Sequence, residues 1–324
     1  MNYRSVADLD ADIKRWLPAL PRDIDLVVGV PRSGLLAGTI LSLHLNVPLT
    51  DLDGFLESRV LATGARLDAD PDETPKRVLV LDDSVLTGSA MSEARARIDA
   101  ATLPATTEIL FGAVYVSPQG KRHVDTYADV VAEPRVFGWN LMHHPGVVPK
   151  SCFDLDGVLC RDPTPKENDD GARYREFIST VDPLVVPSKP IGWIVTARLE
   201  KYRPETEAWL ARHGIEYGEL IMLDLPDKET RQRLGAHAAY KAAVYDECDA
   251  VLFVESDHEQ ALEIARRTDR SVYSVEHDQM IRQDRLTVAR RQSQWHLRRF
   301  QSDPLGVLRR AGAYVTTRLA RLSP

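Results

Sequence analysis

The stretch VLVLDDSVLTGSAM, residues 78–91, runs from four aliphatic residues through two adjacent acids, Asp82 and Asp83, into a turn of small residues that opens a helix. An unbroken aliphatic run of this length reads as a strand buried on both faces, as in parallel α/β sheets. In such sheets ligands bind beyond the carboxyl ends of the strands, which is where the two acids stand. The turn that follows, Ser84, Val85, Leu86, Thr87, Gly88 and Ser89, suits a phosphate group. Small residues let backbone N–H groups converge, the helix N-terminus adds a favourable dipole, and Thr87 and Ser89 can donate hydroxyl hydrogen bonds. Asp82 and Asp83 can accept from vicinal sugar hydroxyls and stabilise positive charge developing on a sugar ring. The simpler alternative is a capping turn between strand and helix.

The same alternation of strand and helix extends in both directions. Upstream, DLVVGVPRSGLLAG (25–38) is a strand followed by a Pro-Arg-Ser-Gly turn containing Arg32, Ser33 and Gly34, then a helix. Runs at 25–30, 77–81, 108–116 and 128–131 read as parallel strands with crossover helices, and 152–155, 192–196, 220–223 and 251–254 repeat the pattern. Between the two sets, HHPGVVPK (143–150) has the composition of a short linker. A chain of 324 residues is long enough for two ordinary cores. The expected organisation is two parallel-sheet α/β domains, 1–145 and 150–284, and a basic amphipathic helical tail, 285–324.

Composition narrows the function classes. With 44% apolar and 27% charged residues the chain is globular, and its net charge of −7 argues against general nucleic-acid binding. The tail departs from that average, with nine arginines against one aspartate interleaved with Trp295, Leu297, Phe300, Leu305, Leu308 and Leu319. Such a segment suits either an anionic membrane surface or packing between domains. The N-terminal residues carry no signal-peptide pattern and no stretch is apolar enough to span a bilayer, so a cytoplasmic location, at or near the inner membrane face, is expected. Cys152, Cys160 and Cys248 lack zinc-site spacing and read as reduced thiols.

The second half carries its own acids. In CFDLDGVLCRDPT, Asp154 and Asp156 lie two residues apart at a strand's end, so their carboxylates are expected to share one pocket as nucleophile and general acid/base, with Mg²⁺ offsetting their repulsion. Thr196 ends the next strand, with Arg198 nearby. Lys241 follows, with Lys228 as its rival, and Glu255 and Asp257 come after a further strand.

The first set of residues resembles the signature of type I phosphoribosyltransferases. The resemblance implies that Asp82 and Asp83 contact the ribose hydroxyls of phosphoribosyl pyrophosphate (PRPP). It also implies that Ser84 to Ser89 hold the 5-phosphate, that Arg32, Ser33 and Gly34 form the pyrophosphate loop, and that a mobile loop at 57–76, with Arg59 and Arg66, closes over PRPP. Acceptor-side candidates are Lys121, Arg122, Trp139, His143 and His144. The second set resembles the haloacid dehalogenase (HAD) superfamily in motif order. That implies Asp154 as nucleophile, Asp156 as acid/base, Thr196, Arg198 and Lys241 around the phosphate, and Asp154, Asp156, Glu255 and Asp257 around Mg²⁺. In the last pair Glu-Ser-Asp departs from the usual Asp-Asp. The interval from Asp156 to Thr196 leaves no room for a large cap, so a bulky substrate is expected.

The pairing of the two domains resembles bacterial ribofuranosyltransferase systems for polysaccharides. It implies transfer of 5-phosphoribose from PRPP to a glycan, lipid-linked in some systems, followed by removal of the phosphate. Nucleobase salvage with a fused phosphatase, a PRPP-sensing regulator and nucleic-acid end processing are the competing readings.

Overall fold

In the computed structural model, residues 1–61, 75–235 and 237–282 are described. The tail at 285–324 and Arg66 of the expected closing loop lie outside them. The chain forms two compact units, Met1–Leu141 and a second beginning at Met142.

The first unit starts with strand β1 (Asn2–Arg4) and helix α1 (Val6–Trp16), which begins at a capping box between Ser5 and Asp8. Then follow β2 (Leu26–Gly29), α2 (Gly34–Leu45), β3 (Leu49–Asp51), α3 (Leu52–Leu56) and β4 (Arg77–Val85). The unit ends with α4 (Ser89–Asp99), β5 (Glu108–Val116), β6 (Thr126–Val130) and β7 (Arg135–Phe137). Its main sheet has the order β3-β2-β4-β5-β6 with every pairing parallel, and β1 pairs with β7 apart from it.

Two-sided burial explains the aliphatic run of β4. Leu79 and Leu81 face the core containing Leu9 and Ile13 of α1 and Leu41 of α2, whereas Val78 and Val80 face Phe55 of α3 and Met91, Ala94 and Ile98 of α4. The strand runs beyond the expected 77–81, because Ser84 and Val85 still pair with Tyr115 and Val116 of β5, and Val85 is buried. Ser84 and Val85 are therefore strand residues, and the phosphate-loop geometry is confined to Leu86–Gly88 and the first turn of α4.

The second unit repeats the plan with β8 (Ser151–Phe153), α5 (Ala172–Thr180), β9 (Ile191–Leu199), α6 (Arg203–Arg212), β10 (Tyr217–Leu223) and α7 (Lys228–Leu234). After these come α8 (His237–Glu247), β11 (Leu252–Glu255), α9 (His258–Thr268), β12 (Val272–Ser274) and β13 (Gln279–Ile281). The strand order is β10-β9-β8-β11-β12-β13, parallel throughout except for the last, antiparallel strand. Residues of α8 and α9, among them Ala242, Tyr245, Leu262 and Ile264, pack with Cys152, Val195 and Phe253 of the sheet. Between β8 and β9 the chain holds one helix, α5. Cys152 and Cys160 are buried and Cys248 is half-buried, all three as free thiols. Among the described residues no helix is long and apolar enough to cross a membrane.

In both sheets the order reverses at one point, between β2 and β4 in the first unit and between β8 and β11 in the second. A crevice opens there, because the crossovers on either side leave for opposite faces.

Candidate active sites

In the first unit the crevice brings together the two stretches singled out in the sequence. The Ser33 hydroxyl donates to Asp83 Oδ1 at 2.8 Å, and the Trp139 indole Nε1 donates to Asp83 Oδ2 at 3.0 Å. The Asp83 amide donates to Asp82 Oδ1 at 2.8 Å, so the two acids are tied to each other and both are buried. Gly34 permits this approach: a Cβ there would stand 2.7 Å from the Leu81 carbonyl oxygen and 3.1 Å from Asp82 Cα. The Pro31–Arg32 peptide is cis and Arg32 is exposed.

Gly88, at φ +85°, turns the chain into α4, and a Cβ there would run into the His123 ring. Thr87 Oγ1 and Ser89 Oγ lie 2.9 Å apart at the mouth of that turn. Of the acceptor-side candidates, Trp139 alone bonds the acids. Its ring stacks on Phe137 at 4.7 Å and lies near Tyr115 at 6.4 Å. Lys121 lies over the Tyr127 ring, Arg122 bonds His123, and His143 and His144 accept bonds from the Ser188 and Gly146 amides in the second unit. Arg59 bonds Glu57.

The second crevice is organised by two buried cations. Lys241 Nζ, on α8, bonds Asp154 Oδ2 and Glu255 Oε2, each at 2.7 Å, and Gln260 Oε1 at 3.3 Å. Asp154 follows the end of β8 and Glu255 ends the neighbouring β11, with the Asp154 amide bonded to the Val254 carbonyl at 2.9 Å. Arg198, whose side chain is 0% exposed, reaches Asp156 with Nη2 at 2.6 Å and Nε at 3.1 Å from its two carboxylate oxygens, and also approaches Cys160 and Thr206. Asp154 and Asp156 thus have different partners. The two-residue period of a strand does not govern them, because β8 ends at Phe153 and the chain has already turned. They remain within electrostatic reach of one another.

Several expected positions acquire different surroundings. The Arg198 guanidinium is occupied by Asp156, so it holds that acid in place rather than facing an incoming phosphate. Lys228 bonds the Asn168 carbonyl and Asp170, whereas it is Lys241 that bonds Asp154. Thr196 lies within β9, where its hydroxyl accepts from the Arg198 amide at 3.2 Å; the pairing of β9 with β10 slips just after it. Asp257 caps α9 by accepting from the Gln260 amide at 2.7 Å. Ser256 donates to the Asp156 carbonyl at 3.1 Å and stands where a Cβ on Gly157, φ +78°, would fall. Among the described residues no three His, Cys, Asp or Glu side chains are arranged to hold a metal ion.

Against known protein families, residues 3–145 match the phosphoribosyl transferase domain. They form a phosphoribosyl transferase domain. Among solved structures, the purine phosphoribosyltransferase of Pyrococcus horikoshii Ot3 is 20% identical, with a TM-score of 0.31, covering 43% of this chain and 92% of that one. The Helicobacter pylori xanthine-guanine-hypoxanthine enzyme is 13% identical, TM-score 0.32, over 43% and 92%. The orotate phosphoribosyltransferase of Aeropyrum pernix is 18% identical, TM-score 0.28, over 38% and 71%. No curated protein matches the chain.

The electrostatics of the phosphoribosyl transferase domain follow from its burial. Removal from water, then the neighbouring Asp83 carboxylate, push the Asp82 carboxyl up to about 8. Arg135, half-buried and within reach of both acids, is lowered by its own burial and raised by Asp83. Neither Arg135 nor His123 carries a local sequence signal, because each arrives from a distant element. In the second unit, burial raises Asp154 well above the usual carboxylate range, and Lys241 opposes the rise. Asp162, raised by burial and by Asp156, stands at the rim of the same crevice and was not singled out by its spacing.

Proposed function

We propose that the chain is a bifunctional ribofuranosyltransferase. The first unit transfers 5-phosphoribose from PRPP to a glycan hydroxyl, and the second, a HAD-like phosphatase, removes the 5-phosphate to leave ribofuranose. The observation that carries this reading is the placement of paired acids at the reversal point of each sheet, each pair built into a network of buried donors.

In the transfer, the bond from ribose C1 to the pyrophosphate oxygen breaks and the acceptor oxygen bonds C1; pyrophosphate leaves and takes up the acceptor proton. Asp83, oriented by Ser33 and Trp139, and Asp82 face the ribose hydroxyls. The turn from Leu86 to Ser89 offers amides and hydroxyls to the 5-phosphate, and Arg32 with the amides of Ser33 and Gly34 faces the pyrophosphate. In the hydrolysis, an Asp154 oxygen attacks phosphorus as the bond to the sugar oxygen breaks, and Asp156 donates a proton to that oxygen. Water, giving a proton back to Asp156, then attacks the phosphorus of the aspartyl phosphate, releasing inorganic phosphate and restoring both acids. Thr196 and Lys241 hold the phosphoryl oxygens.

Asp154 Oδ2 and Glu255 Oε2 converge on Lys241 Nζ at 2.7 Å each, and such hard-oxygen donors suit Mg²⁺. Asp154 and Glu255 would hold it, with Asp156 and Asp257 at the edge, and it would supply neutralisation of the phosphate charge. A bulky glycan product fits a crevice whose β8–β9 segment carries a single helix. Membrane association through the arginine-rich 285–324 belongs to the same proposal.

The test uses Asp154→Asn protein with PRPP, Mg²⁺ and a panel of glycan acceptors, read by mass spectrometry. The expected outcome is an added phosphopentose, which wild-type protein converts to plain pentose. Addition to a nucleobase and to no glycan would replace this reading with salvage.

A further inference from the structure

We infer that Arg231 is an anion ligand of the second unit, recognising the phosphoryl group of a phosphate monoester at the carboxyl end of β9. The inference rests on the phosphatase reading of that unit and adds to it a residue from a helix, α7, that the sequence motifs do not touch.

Arg231 is 9% exposed. Its Nη1 donates to the Ala197 carbonyl at 2.7 Å, between Thr196 and Arg198, while its Nε is buried with no hydrogen-bond partner. The other buried cations of the crevice are neutralised: Lys241 by Asp154 and Glu255, and Arg198 by Asp156. Arg231 forms no ion pair with any carboxylate among the described residues. His237 feels the charges of both Arg231 and Lys241, and Tyr174 those of Arg231, Arg198 and Asp156, so the guanidinium shares the electrostatic environment of the acids.

A buried charge without a counter-charge is costly, and the cost is relieved when an anion arrives. A guanidinium with one arm fixed and its Nε unpaired is suited to the oxygens of a phosphate. Arg198 cannot serve in this way, since its fork is closed on Asp156.

The full-length chain, and the same chain carrying Arg231→Met, are titrated calorimetrically with inorganic phosphate. Ribose 5-phosphate is titrated in an Asp154→Asn background that prevents turnover. Because each compared pair differs only at Arg231, binding in the first unit cancels. The expected result is phosphate and ribose 5-phosphate affinity weakened between about ten- and a hundredfold by loss of charged hydrogen bonds. Loss of the phosphate response alone assigns the site to free phosphate, whereas loss of both assigns it to the phosphoryl group of the monoester. A thermal midpoint of Arg231→Met in phosphate-free buffer at or above that of wild type is the companion expectation, and a merely structural arginine would lower it. Unchanged affinity for both ligands overturns the inference. Should Arg231→Met not fold, Arg231→Gln carries the same titrations. Hydrolysis of ribose 5-phosphate by wild type with phosphate affinity indifferent to Arg231 removes this site and leaves the phosphatase standing; Arg231-dependent binding without hydrolysis does the reverse.

Discussion

Asp82 is a carboxyl group that water scarcely reaches, and its proton affinity follows from that. Raised from 3.8 to about 8 in the folded chain, it binds a proton more tightly folded than unfolded. Its contribution to stability is therefore complete below about pH 4 and declines as pH rises to about 8. Asp82→Asn should flatten that decline and raise the thermal midpoint at pH 8 relative to wild type, as scanning calorimetry across the pH range would show. Arg198 presents the opposite case, a buried charge already paired. Arg198→Met leaves Asp156 without its counter-charge and should destabilise the second unit by about 3–5 kcal/mol in urea unfolding. The acids of both sites were legible as strand-end pairs, since chemistry and position coincide in a few consecutive residues. Their surroundings were less so: Trp139 was named only as an acceptor-side candidate, whereas Arg135 beside the first pair, His123 against Gly88 and Arg231 on the Ala197 carbonyl arrive from elements far along the chain, and no periodicity encodes such an approach.

Among the elements, long strands buried on both faces announced themselves, as did the three-residue β8, whereas the other three-residue strands did not. The run 108–116 and the strand β5 coincide, because the apolar residues that follow Glu108, Ile109 to Val116, have one packing solution in a parallel sheet. Strands β1, β3, β7, β12 and β13 have three residues each, too few to establish a period, and they form because a neighbouring strand presents an edge. Where α4 leaves β4, the turn depends on Gly88. Gly88→Ala places a methyl group against the His123 ring at a backbone angle that favours glycine, so a loss of about 1–3 kcal/mol is expected. PRPP affinity should fall with it, measured by calorimetric titration. Gly34→Ala should likewise push the start of α2 away from β4 and weaken PRPP binding, with the rest of the chain's circular dichroism unchanged.

For the molecule as a whole, two sheets with their own reversal points mean two sites that fail independently. Asp83→Ala should abolish release of pyrophosphate from PRPP while leaving hydrolysis of ribose 5-phosphate within about twofold, since sites without shared partners behave additively. Asp154→Asn should show the reverse pattern, and paired assays on both variants check it. The division into two α/β units could be read from motif order and turn composition, whereas the cationic segment 285–324 stands outside the described residues. All three sulfhydryls of the chain belong to the second unit. Cys152 lies in β8 and Cys160 in the turn after it, both sealed from solvent and held protonated by their surroundings. A maleimide or an alkylating reagent can reach those two sulfurs only when that sheet opens. Their rate of labelling is therefore a clock for breathing of the second unit, and the phosphoribosyl transferase half, having no cysteine, contributes nothing to it.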